Sequence, residues 1–291
     1  MKFGFAVALG AWVLPALALA EDFIPPVTGG RTWMQQQVEA AKQRHPHIEA
    51  IIASGAHDKT HEIVILGSTL GASVVFTRAP PAARDGLAMS ANRRRFIVRE
   101  ALLSNSRHRI GTLELHFAYR LGLRTASLLM EARAVQAEIG RATLSSKNAI
   151  DPYPYDPAYD PDTYAQVLTE QLAQKHPDVL VMMLHATRPG GKDNVVIGSN
   201  IGRFGKLADE DDLRVIEQGS TNLEVGGDDK DRFETELPLL DAAGTRIGAL
   251  GLVFGLAKGQ DQDALHRHGI AIRDELASLI PNNAALFARH R

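Results

Sequence analysis

The residues best suited to chemistry lie within 194–212, in the run N-V-V-I-G-S-N-I-G-R-F-G-K-L-A-D-E-D-D. Arg203 sits between Gly202 and Gly205, Lys206 follows, and Ser199 and Asn200 precede it at the end of an apolar run. A guanidinium holds a carboxylate with two parallel bonds, and a nearby ammonium adds a second positive charge. Glycine lets the backbone come close to a ligand, and Ser and Asn add neutral donors. His185, which closes the apolar run 179–184, is the fifth candidate. This set predicts a binding site for a small anionic molecule, a carboxylate above all. The plainer reading of the same stretch is a turn-rich connection with solvated charges. Asp209, Glu210, Asp211 and Asp212 read first as the opening turn of a helix, where acidic groups complement the dipole.

Other chemistry finds less support. The chain has eleven histidines, with His57/His61 four apart and His45/His47 and His266/His268 each two apart. His57 and His61 fall on a polar turn with no third ligand in a metalloprotease-like pattern. His266 and His268 point to different sides of a helix. Structural or surface roles are the expectation, with no metal and no cofactor. There is no G-x-S-x-G, no cysteine nucleophile and no phosphate loop, so the sequence predicts a binding protein and not an enzyme. A net charge of −2 gives no electrostatic reason to expect nucleic acid.

The elements that would position the site occur twice. Met34, Val38 and Ala41 mark a helix stopped by His45-Pro46, followed by strands at 48–53 and 63–66 and by Gly67-Ser68. Tyr164, Val167, Leu168 and Leu172 mark a second helix stopped by His176-Pro177, with strands at 179–184 and 195–197 before Gly198-Ser199. His45 and His176, Gly67 and Gly198, and Gly71 and Gly202 are each 131 apart. Later in each unit come two strands around a turn, at 104–108 and at 241–244, with Arg109-Ile110-Gly111 matching Arg246-Ile247-Gly248 at a distance of 137. Leu128, Ala132, Val135 and Ile139 then line one face of a helix, as do Leu265, Gly269, Ile272, Leu276 and Ile280. The expected organisation is a first unit at 33–141, a connecting segment at 142–162 and a second unit at 163–282. Pro152, Pro154, Pro157 and Pro161 make that segment an extended, semi-rigid spacer, unless Tyr153, Tyr155 and Tyr159 pin it to a surface.

Residues 1–20 read as a secretory signal peptide. Lys2 precedes an almost wholly apolar run, and Ala18-Leu19-Ala20 forms a small-x-small site before Glu21. Cleavage after Ala20 and a periplasmic location are expected, without a transmembrane anchor. The chain contains no cysteine, so disulfides cannot hold it together.

Two stretches of the second unit, S-N-I-G-R-F-G-K with its acidic run and L-P-L-L-D-A-A-G-T-R-I-G-A-L-G-L-V-F, resemble the extracytoplasmic PAS-like or Cache sensor domains of bacterial receptors. The citrate- and dicarboxylate-sensing histidine kinases are the nearest comparison. The resemblance implies an α+β fold of two tandem PAS-like domains, each an antiparallel sheet flanked by helices. It also implies ligand binding beside Arg203 and Lys206 and a separate membrane or periplasmic signalling partner. The chain departs from those sensors in having Ser199-Asn200 where a histidine often stands. In the first unit Ala72 follows Gly71, where Arg203 follows Gly202, so the first unit is expected to be a degenerate copy. The alternatives are an assembly protein with side-chain-filled pockets and, more weakly, a metalloenzyme using His57 and His61.

Overall fold

The computed structural model describes residues 31–57, 62–71, 75, 78–79, 85–90, 94–120, 122, 124–159, 161–227 and 229–290. The expected signal peptide, the stretch 72–74 and the side chains of His57 and His61 lie outside the described residues.

The first unit opens with β1 (Arg31–Thr32) and α1 (Trp33–Arg44). Next come β2 (Ile48–His57), β3 (Glu62–Ser68), β4 (Gly86–Met89), β5 (Arg95–Leu103), β6 (Arg109–Ala118) and α2 (Thr125–Arg141). The connecting segment holds α3 (Ser146–Ala149) and β7 (Pro152–Tyr153). The second unit comprises α4 (Tyr164–Lys175), β8 (Val179–Thr187), β9 (Asn194–Ser199), α5 (Glu210–Gln218), β10 (Asn222–Gly226), β11 (Arg232–Leu240), β12 (Arg246–Gly255), α6 (Gln262–Leu279) and α7 (Asn283–Leu286). The protein is therefore α+β, with two five-stranded antiparallel sheets ordered β3-β2-β6-β5-β4 and β9-β8-β12-β11-β10. Each has the order second-first-fifth-fourth-third.

The match between the units reaches single bonds. Thr32 and Thr163 both cap their helices through the side chain, and His45 and His176 end them with nearly the same backbone angles. The pairing slips between Ala53 and Ser54 in one sheet and between Leu184 and His185 in the other, again 131 apart. The helices α1 and α2 cover one face of the first sheet, burying Val38, Ile51, Leu66, Leu113, Val135 and Ile139. The same arrangement under α4 and α6 buries Leu168, Leu184, Ile197, Leu250, Ile272 and Leu276. The helical periodicity seen in the sequence thus coincides with the faces that are buried.

A glutamine the sequence did not single out fixes each helix to its sheet. Gln35 Nε2 donates to Ser68 O at 2.9 Å, and its Oε1 accepts from Ser68 N at 2.8 Å. Gln166 repeats this on Ser199, at 3.1 and 2.9 Å. One amide side chain therefore satisfies both backbone groups at the strand end.

The connecting segment is not a free spacer. β7 pairs with β1, Trp33 N donates to Asp151 O at 2.8 Å, and Trp33 Nε1 donates to Ala142 O at 2.9 Å. The Trp33 and Tyr153 rings lie 5.3 Å apart, and Tyr159 lies under the Arg188 guanidinium at 4.7 Å. The prolines stiffen the segment, but its aromatic faces bring it down onto both units. Beyond 282, Leu286 and Phe287 join the second core, and Tyr164 N donates to Ala288 O.

Replacing Gln35 with Ala leaves a buried N–H and C=O without partners, at a cost of about 1–3 kcal/mol for such a group. Urea unfolding should show Gln35→Ala destabilised by roughly that amount, and Gln166→Ala by less, because Gln166 is only half-buried and water can replace it.

Candidate functional site

The helices cover one face of the second sheet, and the other face looks into a cavity of about 270 Å³. Strand alternation decides which side chains line it. β8 contributes Val181, Met183 and His185, β11 contributes Arg232, Glu234 and Glu236, and β12 contributes Gly251 and Val253. Arg203, Lys206, Asp209 and Asp212 approach from the loop after β9 and the start of α5, and Glu224 from β10. Leu144 of the connecting segment completes the wall.

Three of the five residues picked out in the sequence meet here: His185, Arg203 and Lys206. Gly202 and Gly205 both have φ of 76° in the left-handed region, which lets the loop turn sharply at both places. Arg203 is buried, and its Nη2 donates to Asp151 Oδ2 at 2.8 Å. It was expected to offer its fork freely to a ligand, but the connecting segment already engages one arm. Ser199 and Asn200 are placed elsewhere. Ser199 is buried beneath Gln166, and its Oγ accepts from Ile201 N. Asn200 bridges to β8, accepting from Met182 N at 2.9 Å and donating to Leu180 O at 3.3 Å. Their polar atoms hold backbone, as Ser and Asn commonly do beside strand ends.

The acidic run does two jobs. Asp209 caps α5, and Asp212 returns the bond to Asp209 N, a reciprocal capping box. The same two residues line the cavity. The sequence reading passed over Glu234 and Glu236, yet F-E-T-E-L carried the signal. Its alternation puts Phe233, Thr235 and Leu237 in the core and both carboxylates together on the opposite face.

Crowding of like charge away from water sets the electrostatics. Burial, reinforced by Asp212 and Glu234, pushes the Glu236 carboxyl up to about 8. Burial and Glu224 push Glu234 up to about 7, and burial and Asp209 push Asp212 up to about 6. Burial also lowers Lys206, with Arg203 adding to the effect. His185 is buried and driven down to about 4 by desolvation, so it is neutral at pH 7. Its Nδ1 lies 3.4 Å from Asp212 Oδ2, too poorly aligned for a hydrogen bond, and neither ring nitrogen has a hydrogen-bond partner among the described residues.

The corresponding face of the first sheet is neutralised from within. Arg99 stands where Glu236 does, and Glu114 where Gly251 does. Arg99 Nε donates to Glu114 at 2.6 Å, and His116 lies 2.6 Å from the same carboxylate. That arrangement holds Glu114 below the usual carboxylate range, mainly through His116.

Fold and site together define an α+β protein of two repeated sheet units, the second containing a charged, ligand-sized cavity. The chain matches no family model and no curated protein. Among solved structures, it is similar to the inducer-binding domain of the PobR transcription factor from Acinetobacter, in a double mutant complexed with 3-hydroxybenzoic acid. The similarity covers 40% of this chain and 95% of that one, at 10% identity and a TM-score of 0.29. At that level it says nothing of what this chain binds.

The raised carboxyls make stability depend on pH. Glu234 and Glu236 favour the protonated form when folded, so the stability they allow is present below their ordinary value of 4.5 and lost as pH rises through about 7 and about 8. His185 acts oppositely: its share is present above 6.5 and lost as pH falls towards about 4. The melting midpoint should therefore fall between about pH 6 and about pH 8.5. Glu236→Gln should flatten that slope and stabilise the alkaline end by up to a few kcal/mol, at about 1.4 kcal/mol per unit. A flat profile in the unmodified protein would contradict the electrostatics described.

Proposed function

We propose that the protein is a non-catalytic, PAS-like binding protein whose second unit takes a small molecule carrying an ammonium group, and that a separate partner reads its occupancy. One observation carries this reading: five carboxylates, Asp209, Asp212, Glu224, Glu234 and Glu236, line a cavity with three cationic side chains. Two of those cations are already engaged, Arg203 by Asp151 and Arg232 by Ser106 and Leu144 O. A positive ligand group beside Glu234 and Glu236 would let both ionise at neutral pH. Lys206, with the remaining donors of Arg203, could receive a carboxylate on the same molecule. The anion suggested by the loop then becomes one end of a zwitterion of amino-acid type.

The repeated strand order and the helix-covered face opposite the cavity support the PAS-like assignment. A periplasmic setting follows from reading residues 1–20 as a signal peptide, and protease protection of the exported protein would test it. A second reading rests on Asp209, Asp212 and Glu236, which can bring one oxygen each within 4.8 Å of one another beside His185, whose ring nitrogens have no hydrogen-bond partner among the described residues. These groups could hold a divalent cation in place of the ammonium.

A thermal-shift screen separates these readings. A ligand at 100 times its Kd adds about 2.7 kcal/mol of stability. Amino acids and amines should shift the melting midpoint, and Glu234→Gln should weaken the best of them by more than about tenfold, since it removes a buried charge partner. Dicarboxylates that bind while amines do not would refute the ammonium assignment. A shift with magnesium, calcium or manganese that is abolished by Asp212→Asn would favour the cation.

A further inference from the structure

On the helical side of the second unit, away from the cavity, two imidazoles face each other. His176 ends α4 and His268 lies on α6, with His176 Nδ1 3.3 Å from His268 Nε2 and ring centroids 5.3 Å apart. Each ring has a carboxylate behind it. His176 Nε2 lies 3.4 Å from Glu275, which also takes Lys175 at 2.6 Å, and His268 Nδ1 lies 3.2 Å from Asp178. Phe254 supports the His268 ring from the core, at 5.5 Å between centroids. His176 is partly buried, while Asp178 is largely exposed, leaving an approach from solvent.

A neutral imidazole carries one N–H, and a carboxylate attracts it to the nitrogen it faces. With both hydrogens on the outer nitrogens, the two inner nitrogens, 3.3 Å apart, present lone pairs to each other. From this geometry we infer that His176 and His268 form a binding site for a transition-metal ion of the zinc or copper kind. Zinc–nitrogen bonds of about 2.0–2.1 Å at the tetrahedral angle put two ligating nitrogens roughly 3.3 Å apart. The carboxylates occupy the outer position typical for ligating histidines, where they fix the tautomer and strengthen the ligand. Water fills the remaining positions, and an Asp178 oxygen stays within 4.8 Å of a nitrogen of each ring.

The repeat separates this site from ordinary packing. In the first unit His45 occupies the place of His176 and meets Glu138, the counterpart of Glu275, at 3.2 Å. The place of His268 is taken by Glu131, 3.6 Å from His45, and that of Asp178 by His47. The helix-end histidine and its glutamate are therefore common to both units, and only the second adds a facing imidazole. A proton shared between the two rings is the other way to reconcile them.

Calorimetry and metal analysis of the purified protein titrated with zinc chloride decide between these. One zinc per chain is expected at neutral pH. His268→Gln should lower affinity by at least about tenfold, and Asp178→Asn by about 10- to 100-fold through the outer carboxylate. Measured in a Glu236→Gln background, which breaks the acidic cluster of the cavity, the uptake that depends on the two histidines should persist, so failure here is independent of the ammonium reading. Copper(II) bound at the same site should show nitrogen hyperfine structure in its paramagnetic resonance spectrum, and His268→Gln should diminish it. The melting midpoint without metal reports whether His268→Gln remains folded, and His176→Gln provides a second test. No zinc uptake, or uptake indifferent to both histidine substitutions, overturns the site and leaves the shared proton.

Discussion

Arg203 and Asp151 meet where the connecting segment crosses the loop after β9. The guanidinium is almost fully buried and its Nε has no partner among the described residues, so the carboxylate is its principal compensation. Removing one partner of such a pair leaves a charge stranded away from water, which costs far more than the pair itself stabilises. The cavity, the glycine-bounded loop and the connecting segment therefore hold their places together. Tyr155 adds an aromatic face 6.0 Å from the guanidinium, and burial pushes its phenol up to about 12, keeping it neutral beside the pair.

The same junction joins the two units. Arg232 reaches from the cavity wall to Ser106 of the first unit and to Leu144 O. Gly202 lies against the Trp33 ring, where a Cβ would come within 3.0 Å of it. Whatever moves the cavity loop therefore presses on residues that also hold the first unit's leading helix. The first unit instead pairs Arg99 with Glu114 across its own sheet face.

Periodicity made much of this legible. The helices ending at His45 and His176, the paired long strands and the spacings of 131 and 137 residues all stand in the sequence, because core-facing side chains must repeat with the backbone. What escaped depends on contacts between distant segments. Nothing near Arg203 announces Asp151, 52 positions earlier. Ser199 and Asn200 looked like ligand donors because their types suit that role, but the same atoms suit backbone groups equally well, and backbone lay closer. Glu234 and Glu236 were visible as an alternation, but their number and burial emerge only when α5 brings Asp209 and Asp212 over the same face. His176 and His268 lie 92 residues apart and meet only through the packing of α4 against α6.

The duplicated glutamine anchor also bears on how the chain reaches its native arrangement. α1 and α4 have the same length, the same kind of cap and the same bonds to a strand end. Their backbones could therefore dock beneath either sheet. Side-chain volume is what distinguishes them: Met34, Val38 and Ala41 taper towards the helix end, whereas Ala165, Thr169 and Leu172 in the same places widen. Each helix in the other's berth would collide at one end and leave a void at the other, and tightly packed interiors tolerate neither. Exchange between units is a characteristic failure of repeated domains, and the opposed tapers act as a key that fits only one lock.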